Sequence, residues 1–135
     1  MTTAQAKETT RDPTDYIAAR LEYETTPEEL DQMLEHTPNQ VFVVDIRGPE
    51  EYAAGHIPLA RNIPLESLGA AYRELPRNIL IVIYCGDISC GLSLLAALEL
   101  AGTGFRVKRL VGGLADWRQK NFPIEVMPPE PAPEY

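Results

Sequence analysis

One cysteine stands at a position where α/β proteins often carry out chemistry. Cys85 directly follows the apolar run ILIVIY (79–84), and the segment CGDISCG (85–91) leads into a second apolar run. This pattern predicts a buried strand, a short loop and a helix. Backbone N–H groups and the positive end of the helix dipole would then favour the thiolate, so Cys85 is a candidate nucleophile. A buried structural cysteine is the alternative interpretation.

A second cysteine, Cys90, lies five residues after Cys85. It could be a small apolar side chain that fills space, a resolving thiol for Cys85, or an independent nucleophile. A disulfide requires Cα atoms about 4.4–6.8 Å apart with converging Cβ directions. The short loop makes the distance feasible and leaves the direction open. We expect Cys85 to point inward while Cys90 begins the helix, which favours the space-filling interpretation.

The charge balance excludes several classes of partner. The 135 residues include 12 Lys and Arg against 20 Asp and Glu, which gives a net charge of −8. We therefore expect no binding to nucleic acid or to an anionic membrane surface. No apolar run approaches the roughly 20 residues that a membrane-spanning helix needs. The N-terminus shows no apolar secretory signal, so a cytoplasmic location is expected.

The cysteine and histidine content also argues against metal sites and disulfide scaffolds. Two cysteines are too few for a disulfide framework. His36 and His56 lie far from them in the sequence and give no metal-ligand spacing. We therefore expect no metal site.

Strand and helix patterns alternate along the chain. Predicted strands cover 41–46, 79–84 and 107–110, and predicted helices follow Thr26 and cover 50–54, 92–101 and 115–120. The helix 92–101 is apolar on nearly all sides and should lie against the sheet. The alternation predicts an α/β fold of three layers, with a mostly parallel central sheet and helices on both faces. Ligands bind beyond the carboxyl ends of such strands, where Cys85 lies.

The ends of the chain differ in composition from this core. We predict a polar N-terminal arm over 1–20 with a short helix around 16–20, and an ordered domain over 21–126. A proline-rich tail follows over 127–135, where four prolines favour an extended, polyproline-like conformation.

Three separated motifs accompany the cysteine loop. They are Asp45-Ile46-Arg47 with Glu51-Tyr52, then Gly55-His56-Ile57-Pro58 continuing through Ala60 to Asn62-Ile63-Pro64, and Leu110-Val111-Gly112-Gly113-Leu114 with Trp117. In this order they resemble the rhodanese-like sulfurtransferases over about residues 21–126. The resemblance implies a rhodanese-like fold, in which Cys85 is the sulfur-carrying cysteine.

The resemblance also implies a substrate-binding loop. It comprises Gly86, Asp87, Ile88, Ser89, Cys90 and Gly91. Counted from Cys85 to Cys90 the loop has six residues, as in sulfurtransferases, whereas related phosphatases have one more. Ile88 stands where the family commonly has Gly, and Cys90 where it often has Arg. Because the loop contains no cation, thiosulfate is expected to be a poor donor.

Other motif residues have mainly structural interpretations. Asp45 and Arg47 share one face of a strand and are expected to brace the site rather than bind substrate. His56 is expected to brace a turn, and Trp117 to lie in the core. Gly112-Gly113 should adopt backbone conformations that other residues avoid.

The resemblance predicts a sulfurtransferase. The Cys85 thiolate would take the outer sulfur of thiosulfate or of a small or protein-bound persulfide, and pass it to a nucleophile such as a thioredoxin-like thiol protein. One alternative is a non-catalytic interaction or sensing module. The other is a thiol redox protein, in which Cys90 attacks the Cys85 persulfide, expels hydrosulfide and leaves a disulfide.

Overall fold

The computed structural model describes residues 12–87 and 89–127, and its centre is a five-stranded parallel sheet. The strands lie in the order β1-β5-β4-β2-β3, and every neighbouring pair is parallel. Their bounds are β1 Glu24–Thr25, β2 Val41–Asp45, β3 Arg61–Asn62, β4 Leu80–Tyr84 and β5 Val107–Leu110. The predicted parallel α/β sheet is confirmed.

Within residues 12–87 and 89–127, six α-helices lie before, between and after these strands. They are α1 Pro13–Tyr23, α2 Pro27–His36, α3 Pro49–Ala54, α4 Leu68–Ala71, α5 Leu92–Gly102 and α6 Gly113–Gln119. Short 3₁₀ turns cover Pro38–Gln40, Leu65–Ser67 and Tyr72–Glu74. The start of α2 follows the prediction, since Thr26 Oγ1 accepts a hydrogen bond from the Glu29 N–H at 3.2 Å.

Two apolar clusters, one on each face of the sheet, form the core. One contains Val44, Ile81, Ile83, Ala96 and Leu100, and the other contains Leu30, Val43, Val82, Leu114 and Trp117. Alternate residues of β4 enter opposite clusters because neighbouring side chains on a strand point to opposite faces. Helices cover both faces, and Trp117 is fully buried, as predicted.

Helix α5 departs in part from its prediction. Ser93, Ala96 and Leu100 are buried against the sheet. Its four leucines outside this set, Leu92, Leu94, Leu95 and Leu98, face outward, and Leu98 is 69% exposed, whereas Ala97 packs partly against the core. A helix in the outer layer of a three-layer fold packs against the sheet on one side only. Its other side is therefore exposed even though its residues are apolar.

The helix near the N-terminus is longer than predicted. Asp12 caps α1 by accepting a hydrogen bond from the Thr14 N–H at 2.9 Å, and Pro13 occupies the first turn. The proposed boundary between arm and domain at residues 20 and 21 therefore falls inside a helix. The rest of the arm (1–11), Ile88 and the tail over 128–135 lie outside the described residues.

Candidate functional site

Cys85 leaves the sheet at the carboxyl end of β4. Its side chain lies in the core cluster with Ile46, Ile83 and Ala96, and the residue is 9% exposed. Asp45 ends the neighbouring strand β2, in register with Tyr84. The fold therefore brings the cysteine and the predicted brace residues to the same edge of the sheet.

The structure joins Cys85 and Cys90 through a disulfide bond. Their Cα atoms are 6.4 Å apart, inside the usual range for such a bond. Cys90 is half-buried and packs against the core, as the space-filling interpretation required. The expectation that the loop would hold the two thiols apart is wrong for this structure, because the loop curls back on itself.

A turn that begins at Asp87 and ends at Cys90 accompanies this curl. Asp87 Oδ1 accepts hydrogen bonds from the Ser89 N–H at 2.9 Å and the Ser89 hydroxyl at 2.6 Å. The Asp87 carbonyl accepts from the Cys90 N–H at 3.1 Å. The hydrogen bonds from Ser89 hold the pKa of the exposed Asp87 carboxyl below its ordinary value.

This turn alters the predicted cradle of N–H groups. The N–H groups of Ser89 and Cys90 bond to Asp87 and do not face the Cys85 sulfur. Ile88, which the resemblance placed in the same loop, lies outside the described residues. In the disulfide form these two N–H groups are thus unavailable to a sulfur anion on Cys85.

The start of α6 holds the stem of the loop. The Leu114 N–H donates to the Cys85 carbonyl at 3.0 Å, and the Ala115 N–H donates to the Gly86 carbonyl at 2.8 Å. Gly112 and Gly113 have positive φ angles of 78° and 61°, which confirms the predicted role of this pair. The N–H groups of Leu114 and Ala115 can bond to the loop because a helix leaves its first donors without partners inside the helix.

Gly113 must also be glycine for lack of space. A Cβ added there would lie 2.5 Å from the Cys85 carbonyl oxygen. The sequence predicted the backbone conformation of the glycine pair but not this contact with the cysteine. The available signal was a glycine pair at an expected helix start, which permits close approach of two backbone segments.

A buried brace, consisting of Asp45, Arg47 and Tyr84, lies beside the loop stem. Arg47 Nη2 and Nε donate to the Asp45 carboxylate at 2.8 Å and 3.1 Å, and the Arg47 N–H adds a bond of 2.9 Å. The Tyr84 hydroxyl donates to Asp45 Oδ2 at 2.6 Å. Asp45 is fully buried, so these contacts are those of a brace.

The brace ties the segment after β2 to the turn around 55–57 and to β3. Arg47 Nη2 donates to the Gly55 carbonyl at 2.6 Å, and the Tyr84 hydroxyl accepts from the Ile57 N–H at 3.1 Å. Asn62 Nδ2 donates to the carbonyls of Asp45 and Arg47 at 3.1 Å and 2.9 Å. The sequence did not predict these contacts of Tyr84 and Asn62, since an apolar strand context hides a tyrosine hydroxyl that will need a partner.

Burial and charge shift the pKa values inside the brace. Burial, followed by the nearby Asp45 carboxylate, raises the pKa of the Tyr84 hydroxyl far above its ordinary value. Burial lowers the pKa of Arg47, but its hydrogen bonds and attraction to Asp45 outweigh that effect and raise it overall. Arg47 is thus a charged partner of Asp45.

His56 occupies the turn that the sequence predicted for it. Its backbone exchanges two hydrogen bonds of 2.9 Å with Glu125, and its Nδ1 lies 2.8 Å from the Tyr52 carbonyl. The ring stacks on Tyr52 with 3.8 Å between centroids. These contacts brace a turn away from the cysteine pair.

Two further features concern metals and membranes. Within residues 12–87 and 89–127, no cluster of His, Cys, Asp and Glu has the arrangement to hold a metal ion. Across the same residues, none of the helices combines the length and the apolar character required to cross a bilayer.

Comparisons with known proteins match most of the chain. The model of the rhodanese-like domain family matches residues 26–120. A sulfurtransferase from Allochromatium vinosum is 37% identical over 101 residues, which cover 75% of this chain and 92% of that protein. The HTH-type transcriptional regulator Rv0324 from Mycobacterium tuberculosis is 40% identical over 86 residues, or 64% of this chain. The chain spans only 38% of the length of that regulator.

A solved structure supports the same assignment. The BH2092 protein from Bacillus halodurans superposes with a TM-score of 0.76 and 32% identity, covering 85% of this chain and 87% of that one. Fold, motif order and family match agree, and the chain belongs to the rhodanese-like domain family.

Proposed function

We propose that this chain is a rhodanese-type sulfurtransferase that carries a sulfane sulfur on Cys85. The observation that carries the proposal is the cysteine at the carboxyl end of β4, with its stem fixed by the first N–H groups of α6. Sulfurtransferases among the relatives support the same reaction class. Neither a metal nor a cofactor is required, because a cysteine supplies both nucleophile and carrier.

The reaction has two halves. In the first, the Cys85 thiolate attacks the outer sulfur of the donor, the donor leaves as a thiolate or sulfite, and Cys85 becomes a persulfide. In the second, an acceptor nucleophile attacks the outer sulfur and restores the Cys85 thiolate. The acceptor that we propose is a thiol, either small or on a thioredoxin-like protein.

Only the reduced form can begin this cycle. A sulfur already engaged in a disulfide is no longer a thiolate, and the thiolate is the attacking species. Opening the bond between Cys85 and Cys90 also releases Cys90 and the turn at Asp87. The loop N–H groups from Gly86 to Gly91 can then turn toward the persulfide and stabilise its charge.

The charges of the loop bear on the donor. The segment 85–91 contains no Lys or Arg, and Asp87 adds a negative charge. The nearby Arg47 guanidinium is bound to Asp45. Thiosulfate carries two negative charges, so we propose that a persulfide is the better donor.

A sensing module is a second candidate. One relative is named as a transcriptional regulator, of which this chain spans 38%. In that role the cysteine pair would report the redox or sulfur state of its surroundings without repeated turnover. Release of sulfur to an acceptor over many cycles distinguishes the enzyme from the sensor.

The test begins with fully reduced protein from which the reductant has been removed. The protein is incubated with a small-thiol persulfide or with thiosulfate, and its intact mass is measured. We expect Cys90→Ser, which keeps Cys85 and lacks the second thiol, to gain one sulfur atom that peptide mapping locates at Cys85. Cys85→Ser and Cys85→Ala should gain none. Equal loading of Cys85→Ser and Cys90→Ser would refute the proposal.

A further inference from the structure

We propose that this chain also reduces sulfane sulfur to hydrosulfide, with Cys90 as the resolving thiol and a dithiol as the electron donor. This inference rests on the proposed persulfide on Cys85. It differs from sulfur transfer in its product, because the sulfur leaves as hydrosulfide without an acceptor nucleophile. The cysteine pair thereby becomes a two-electron carrier between the dithiol and the sulfur donor.

The geometry of the loop supports the resolving step. Cys85 and Cys90 form a disulfide across a Cα separation of 6.4 Å, so the folded domain accommodates the product of that step. Hydrogen bonds from Leu114 and Ala115 hold the Cys85 and Gly86 carbonyls, which keeps one end of the loop in place. Only the four residues from Gly86 to Ser89 separate the two cysteines.

The loop also has room to move between its two states. No atom lies within 4 Å of the positions that a Cβ would occupy at Gly86 and Gly91. These glycines flank the turn at Asp87, which is exposed. A change of backbone path at these two glycines therefore meets no packed neighbour at the Cβ positions.

The resolving step balances without an added oxidant. The Cys90 thiolate attacks the inner sulfur of the Cys85 persulfide, the bond between Cys85 Sγ and the outer sulfur breaks, and the outer sulfur leaves as hydrosulfide. The two cysteines are oxidised to the disulfide, and the sulfane sulfur is reduced by two electrons. The proton lost by Cys90 offsets the one that hydrosulfide acquires.

The reductant then restores both thiols. One thiol of the dithiol attacks the disulfide, and the second thiol releases the mixed disulfide as a cyclic or intramolecular disulfide. Cys90 is the more accessible target because it is half-buried, whereas Cys85 is buried in the core. Attack at Cys90 expels Cys85, whose thiolate the strand-loop-helix site favours, and stabilised thiolates leave faster.

The experiment is a single turnover without any dithiol. Fully reduced protein, freed of reductant, is mixed with a limiting small-thiol persulfide. Hydrosulfide is measured with time, and non-reducing peptide maps are taken at the end. Cys85→Ser provides the background of spontaneous hydrosulfide release, which is subtracted.

We expect wild type to release hydrosulfide in step with the appearance of the linked peptide containing Cys85 and Cys90. Cys90→Ser and Cys90→Ala should retain the persulfide and release hydrosulfide more than about 100-fold more slowly, because they lack an intramolecular thiol of high effective concentration. With excess donor, dithiothreitol should sustain repeated turnover of wild type.

The two ways of failing are distinct. If the wild-type Cys85 persulfide persists while Cys90 remains free, the reductase inference is overturned and the sulfurtransferase proposal stands. If neither wild type nor Cys90→Ser acquires a sulfur atom, the proposed function itself fails, and this inference fails with it.

Discussion

The carboxyl edge of the sheet contains two regions with opposite character. After β2 lies the brace of Asp45, Arg47 and Tyr84, in which buried charged and polar atoms bind one another. After β4 lies the loop 85–91, where Asp87 and Ser89 are exposed and the main cross-link is the disulfide. The brace has one arrangement, whereas the loop has at least two chemical states.

This difference follows from the cost of separating buried charges. Moving Arg47 away from Asp45 would leave a buried carboxylate without its partner, so the fold holds the brace in place. The loop has no such constraint, since its polar groups can exchange their partners for water. Two neighbouring strand ends are thus held in different ways, and the α6 N-terminus holds only the loop stem, through the carbonyls of Cys85 and Gly86.

Removing the charge at the centre of the brace should have the largest effect. We expect Asp45→Ala to lower the free energy of unfolding by about 3–5 kcal/mol, because it leaves the Arg47 guanidinium buried without its carboxylate. Urea unfolding measures this loss. If Asp45→Ala does not fold, Tyr84→Phe removes one donor and should cost about 1–3 kcal/mol. Wild-type stability in both variants would show that the brace is not a stability element.

Disturbing the contact between α6 and the loop should have the second-largest effect on the free energy of unfolding. Gly113→Ala adds a Cβ that meets the Cys85 carbonyl, in a backbone conformation that alanine disfavours. We expect a loss of about 2–4 kcal/mol in the free energy of unfolding. Gly69→Ala is the matched control, because Gly69 lies in α4 with open space around it. Equal stabilities of the two variants would contradict the close contact between Gly113 and the Cys85 carbonyl.

The disulfide should contribute less than the brace. In the loop-entropy model, a cross-link that closes a six-residue segment stabilises the fold by about 2 kcal/mol. We expect reduction of wild type to lower its unfolding free energy by this amount, measured by urea unfolding with and without dithiothreitol. The unfolding free energy of Cys90→Ser should be the same with and without dithiothreitol, because this variant cannot form the disulfide. If the unfolding free energy of wild type does not change on reduction, the disulfide does not stabilise the fold by restricting the unfolded chain.

The two regions also differed in how far the sequence could predict them. The apolar strands, the cysteine at a strand end and the glycine pair follow from local patterns, because burial and backbone conformation are set by neighbouring residues. The pairing of Asp45 with Arg47 follows from their spacing, since Asp45 ends β2 and Arg47 lies two residues beyond it. The hydroxyl of Tyr84 joins them from the next strand, and no local pattern reveals such a contact.

The loop was harder for a different reason. Its path depends on which of several weak hydrogen bonds form and on the oxidation state of two sulfurs, and the sequence specifies neither. Asp87 illustrates this, since its side chain could equally face the Cys85 sulfur or bond to its own turn. In the structure it bonds to Ser89.

The smallest predicted effect follows from that orientation. In a reduced Cys90→Ser background, we expect the pKa of the Cys85 thiol to lie below that of a free cysteine, because loop N–H groups and the α5 dipole favour the thiolate. Adding Asp87→Asn should shift the midpoint of Cys85 alkylation against pH by less than about half a unit, since water and salt screen an exposed charge. Asparagine can still accept a hydrogen bond from the Ser89 N–H, so the substitution removes the charge without removing that acceptor. A larger fall in the pH midpoint of Cys85 alkylation would show that the reduced loop turns the Asp87 carboxylate toward the thiolate. The Asp87 charge would then act on the Cys85 sulfur at short range, as the Asp45 and Arg47 charges act on each other in the brace.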